Sequence, residues 1–170
     1  SDPPQERDEP CLSREIERAW AAADRAVKRL ELGAGEREWR RLGDEQRVEL
    51  VHALFYLGAV EFLAGRPESA VAAREEAAEL ARSRLGEHHK ASIEALSHWA
   101  SMLVLAGKPF EAKSVAQRGV TAARAVYQRP HPMLAGLERR LAEALMRSGT
   151  PADAAVLLYQ VLEEKKAIQG

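Results

Sequence analysis

Gly65-Arg66-Pro67-Glu68-Ser69-Ala70 returns as Gly107-Lys108-Pro109-Phe110-Glu111-Ala112 and again as Gly149-Thr150-Pro151-Ala152-Asp153-Ala154. The interval is 42 residues both times, from 65 to 107 and from 107 to 149. A fixed interval of this length marks a repeat architecture, in which one supersecondary unit stacks on copies of itself. Each copy reads as the elbow of a helical hairpin. Glycine ends the first helix because it reaches the left-handed conformation without a steric penalty. Proline two residues later opens the second helix, where the first turn leaves N–H groups unbonded anyway. The alanine three residues further on is small enough for the two helices to approach closely.

Apolar residues at helical spacing flank every elbow. Ahead of Gly65 stand Leu50, Ala53, Leu54, Leu57, Gly58 and Val60; Ala70, Ala73, Ala77, Leu80 and Ala81 follow it. Ile93, Leu96, Trp99, Ala100 and Leu103 precede Gly107, and Ala112, Val115, Ala116, Val120, Ala123 and Val126 come after. The third pair has Leu134, Leu137, Leu141, Ala142 and Leu145, then Ala154, Leu157, Leu158 and Val161. These patterns predict three helix-pair repeats over 42–84, 85–127 and 128–170. Upstream, Ser13 suits an N-cap, and Ile16, Ala19, Trp20, Ala23, Val27 and Leu30 keep helical spacing. Residues 12–41 therefore read as a capping helix with a charged connector, covering the end of the stack. Residues 1–11 are proline-rich and charged and read as a disordered lead-in. Strand-like alternation is absent. The expectation is an all-α, antiparallel helix-pair solenoid with about seven helices.

Bulk composition sets limits on function. The formal net charge is −1 over 170 residues. A general nucleic-acid binder needs a basic surface, so no nucleic-acid partner is expected. A mild acidic excess lies in the first half of the chain and a mild basic excess in the second. The single cysteine, Cys11, cannot form an internal disulfide and reads as a free surface thiol; a cytoplasmic setting is expected. No run of eighteen apolar residues exists, so no membrane insertion is expected.

The repeat resembles the tetratricopeptide (TPR) repeat, in the 42-residue form of kinesin light chains. That pattern runs Leu-Gly-x-x-His-Pro-x-x-Ala, then Leu-Asn-Asn-Leu-Ala, then Gly-Lys-Tyr-x-Glu-Ala. Leu85-Gly86-Glu87-His88-His89-Lys90 keeps Leu-Gly and His, with Lys90 in place of proline. His131-Pro132-Met133-Leu134-Ala135 keeps His-Pro and the alanine. Leu96-Ser97-His98-Trp99-Ala100 matches the second block with both asparagines replaced. The elbow matches three times, with proline at the usual tyrosine position. The resemblance covers about residues 42–170. It implies a right-handed superhelix whose first helices line a concave groove for peptides or partner helices.

The register of the repeat then nominates groove residues. They are His52, Phe55, Tyr56, Ala59 and Phe62 in the first repeat, and Glu94, Ser97, His98 and Ser101 in the second. The third contributes Arg139, Arg140, Glu143 and Arg147. Such a groove is aromatic at one end, polar in the middle and basic at the other. It would suit a peptide with an apolar anchor and an acidic group. The alternative is that Phe55 and Phe62 pack on the N-terminal helix and the arginines form a solvated face. The lysine and asparagine set that clamps chaperone tails in some TPR domains is absent from the first two repeats. His88, His89 and His131 stand at helix starts and read as boundary residues rather than metal ligands. No nucleophile–base motif and no phosphate-binding glycine loop is visible, so neither an enzyme nor a cofactor is expected.

Two functions fit these features. One is a non-enzymatic protein–protein interaction module that binds a peptide or partner helix on the concave face. The other is a regulatory or assembly scaffold region of a larger multidomain protein, attached for example to a kinase or signalling enzyme. The last helix bears on the second, because it has two apolar sides. Val156, Tyr159 and Leu162 would face water in an isolated stack, so further repeats or a second copy of the chain would cover them.

Overall fold

The computed structural model describes residues 44–169. Its six helices are α1 (Asp44–Leu63), α2 (Pro67–Leu85), α3 (Lys90–Leu105), α4 (Pro109–Val126), α5 (Pro132–Arg147) and α6 (Pro151–Gln169). No strand occurs among the described residues. The lead-in over 1–11, the capping helix and connector over 12–41, and Cys11 lie outside them.

The three elbows are built alike. Gly65, Gly107 and Gly149 have φ of 74°, 76° and 89°. The next residue bonds back five positions each time: Arg66 N–H to the Glu61 carbonyl, Lys108 to Leu103, and Thr150 to Leu145. This is the Schellman closure, which satisfies carbonyls that a helix end leaves open. Pro67, Pro109 and Pro151 then open α2, α4 and α6. The starts of α3 and α5 are matched as well. Nδ1 of His89 accepts from the Ala91 N–H, and Nδ1 of His131 accepts from the Met133 N–H, both at 3.1 Å. The two histidines are N-caps, as their place in the sequence suggests.

Consecutive helices pack against each other along the chain, and the first helices also pack side by side, α1 on α3 and α3 on α5. The second helices make no comparable contact with one another. Long ion pairs bridge them instead: Lys108 to Glu68 at 2.8 Å and Arg118 to Glu79 at 3.1 Å. First helices close together and second helices apart make a curved stack with α1, α3 and α5 on the inside. Ile93, Leu103, Leu134 and Leu137 are fully buried at its centre. Burial of side chains this size contributes about 1.5–3 kcal/mol each. Alanines at 70, 73, 77, 78 and 81 bring α2 close to its neighbours. Gly119 does the same for α4: a Cβ there would stand 2.7 Å from Cδ2 of Leu137.

An ion cluster ties the third pair to the second. Glu138 is fully buried and accepts from Arg124 at 2.9 Å and from Arg129, which also donates to Glu164 on α6. Two residues expected inside are instead exposed. Val126 ends α4 where the chain turns away, and Leu158 lies on the side of α6 that no described helix covers. Val156 and Tyr159 are each 68% exposed and Leu162 is 46% exposed, forming an open apolar side on α6.

Candidate functional site

The inner strip follows the 42-residue register. Residues 52, 94 and 136 are equivalent, as are 55, 97 and 139, then 56, 98 and 140, then 59, 101 and 143. The structure gathers five of the nominated residues, His52, Phe55, Tyr56, Glu94 and His98, around one cavity of about 210 Å³ between the first two helix pairs. Val51, Arg74, Ala77, Ala91 and Ala95 complete its wall. Phe55 is the hub: its ring centroid lies 4.3 Å from that of His98 and 5.2 Å edge-on from that of Tyr56.

The other nominated residues stand apart from this cavity. Phe62 is half-buried and packs against the core. Ser97 and Ser101 are half-buried on α3. Arg139 is exposed, and Arg140 and Arg147 flank Glu143 at 3.7 and 3.8 Å.

Sequence reasoning missed the residue that shapes the cavity. Arg74 comes from α2, a second helix, yet it is only 6% exposed. Its guanidinium carbon sits 3.6 Å from the centre of the Phe55 ring. Among the described residues Nε and Nη1 have no hydrogen-bond partner. Burial pulls the Arg74 guanidinium down to about 10, well below the ordinary arginine range. His98 is open to solvent on one side, but the shielding of its ring, and then the charges of Arg74, Arg140 and His52, push it down to about 4. Burial is the first cause of both shifts, so the charged form of each group is disfavoured there.

Comparison along the register shows how the arginine fits. Position 74 is equivalent to the fully buried Ala116 and to the exposed Leu158, and position 58 to Ala100 and Ala142, both fully buried. In the first repeat the pair is changed together, to Arg74 and Gly58. A Cβ on Gly58 would meet Nε of Arg74 at 2.8 Å and its Cγ and Cδ at 3.0 Å. The missing methyl group is the space the arginine stem occupies. That paired departure was the available sequence signal. Among the described residues no group of three His, Cys, Asp or Glu side chains is placed to hold a metal ion.

No protein-family model matches the chain, and no curated protein matches it. Solved structures do. Nearly identical TPR-like repeats assigned to a kinesin light chain of Podosopora anserina superpose with a TM-score of 0.66 at 18% identity, over 92% of this chain and 75% of theirs. A point variant of the same protein gives 0.64 at 19% identity, over 90% and 77%. The 42-residue interval, the glycine–proline elbows, the histidine caps and these superpositions agree: the chain has the fold of a TPR-like helix-pair solenoid.

Proposed function

We propose that this chain is a non-enzymatic interaction module that binds a peptide segment or partner helix along the inner face of the solenoid. The observation that carries this reading is the inner strip itself. It offers an aromatic-walled cavity at the α1–α3 end and the exposed Arg139 and Arg147 at the α5 end, with polar side chains between. An extended peptide with an apolar anchor and acidic groups complements that order. Among the described residues no helix is long and apolar enough to cross a membrane. A cytoplasmic setting suits a chain whose only cysteine is Cys11. The test is a peptide-array screen, with the binder's footprint then mapped by amide chemical shifts. Shifts confined to α1, α3 and α5, and lost in the Arg139→Glu, Arg140→Glu double variant with its helicity intact, are the expected result. A footprint on α2 and α4, or unchanged affinity of the double variant, refutes the groove.

The open side of α6 favours a second reading, an assembly scaffold that associates through its terminal helix. The positions equivalent to Val156 and Tyr159 in the second repeat are Ser114 and Gln117, polar and exposed; in α6 they are apolar and exposed. Sedimentation decides this: a dimer that Val156→Glu and Tyr159→Glu convert to monomer supports it, and a monomer at high concentration refutes it.

A further inference from the structure

We propose that the outer side of α4 carries a second docking surface, a shallow cleft that takes an acidic segment of a partner protein bearing one apolar side chain. The cleft faces away from the inner strip and is separate from the interaction face described above. Phe110, Lys113, Ser114, Gln117, Arg118 and Thr121 line it along α4, and Glu87 in the turn between α2 and α3 completes its wall. The opening measures about 470 Å³. From residue 110 to residue 121 is about 16 Å of helix, the length of roughly five residues of extended chain. Every α4 residue in the wall is exposed or half-exposed, so a ligand reaches them without rearrangement.

The 42-residue register shows how this surface departs from its neighbour. At the positions that α4 fills with Phe110, Gln117, Arg118 and Thr121, α2 carries Glu68, Glu75, Glu76 and Glu79. Four acids are replaced and none is kept; Glu111, the one acid of α4, is not in the wall. Position 113 is changed as well. Its equivalent Val71 is buried, whereas Lys113 is exposed and forms no ion pair among the described residues. Lys108 and Arg118 are held by Glu68 and Glu79 across to α2, and Lys113 has no such counterpart. Beside it Phe110 is 73% exposed, more than any other large apolar side chain among the described residues. An open ring gains from an apolar contact, and an unpaired cation with Arg118 nearby in the wall gains from carboxylates. An acidic segment with an apolar side chain supplies both at once. Two cations in a wall that also holds Glu87 are too few for a nucleic-acid backbone or an anionic bilayer, which recruit several cations together.

The experiment uses the whole chain and follows backbone amides by NMR. The probe is the acetylated, amidated pentapeptide Glu-Asp-Leu-Asp-Glu. Gln-Asn-Leu-Asn-Gln removes its charge, and Glu-Asp-Gly-Asp-Glu removes its apolar side chain. The acidic probe should shift the amides of residues 110–121 saturably, and each control should bind at least fivefold more weakly. Lys113→Glu should weaken the probe at least tenfold and Phe110→Ser at least fivefold. Both side chains are exposed, and far-UV circular dichroism checks that the helices are intact. Affinity should also fall as salt is raised. Equal binding of the uncharged peptide, no saturable shift up to about 10 mM probe, or shifts confined to α1, α3 and α5 overturns the proposal. Self-association of the chain that Lys113→Glu abolishes also overturns it, because the surface then seats a second copy. The inner-groove reading stands or falls on its own double variant, whose Arg139 and Arg140 lie on α5, outside this cleft.

Discussion

Arg74→Met should make this protein more stable. Methionine keeps a flexible stem of similar length and removes the charge. Burial holds the guanidinium at about 10, well below the ordinary arginine range, and at 1.36 kcal/mol per unit this is a penalty of about 3 kcal/mol. The sign follows from which state holds the proton. At pH 7 both the folded and the unfolded chain carry the charge, so the whole penalty acts; it disappears only as pH climbs above about 10. Against it stands the stack on Phe55, about 1 kcal/mol, which the variant loses. The net expectation is a gain of about 2 kcal/mol at neutral pH, with Tm higher by about 5–10 °C for a domain of this size. Urea unfolding and calorimetry measure it. A variant no more stable than the parent would mean that the guanidinium is well compensated.

Three further outcomes follow. Gly107→Ala, at φ 76°, should lose about 1–2 kcal/mol, whereas Gly136→Ala, inside α5 with nothing near the added Cβ, should gain up to about 1 kcal/mol; thermal melts compare them. Glu138→Ala leaves Arg124 and Arg129 without their buried acceptor and should cost about 3 kcal/mol in denaturant unfolding. His98 titrates near 4 when folded against 6.5 ordinarily, so the unfolded chain binds the extra proton first and stability falls as pH drops from 6.5 to 4; urea midpoints against pH should show that slope flattened in His98→Gln.

The fold was legible because its signals are local and recur. Gly65, Gly107 and Gly149 take a positive φ in all three copies, and His89 and His131 each accept from a following N–H in the second and third. The site was legible only in part. Phe55, Tyr56 and His98 lie on first helices, where a groove is sought. Arg74 lies on a second helix between Ala73 and Ala77, and an arginine there reads as a solvated face. Its burial depends on Gly58 across the helix pair, a contact that helical periodicity does not register but alignment of 58 with Ala100 and of 74 with Ala116 does. Leu158 shows the opposite failure: its spacing is right for burial, but exposure depends on what lies beyond α6, which periodicity cannot supply.

The inner and outer sides of the stack are joined by different materials. The inner seam is side-chain packing, short in range and indifferent to salt. The outer struts, Lys108–Glu68 and Arg118–Glu79, are exposed or half-exposed charge pairs at 2.8 and 3.1 Å. At about 1 M salt the screening length shrinks to about 3 Å, and struts of this kind slacken while the seam holds. The expected outcome is a leaf spring: relaxed struts should let the second helices splay, tightening the arc of the first helices and narrowing the space between α1 and α5. X-ray scattering across a salt series would register this as a change in the radius of gyration at constant helicity. A ligand seated along the inner face would feel the salt through the width of its channel, even where it touches no charge.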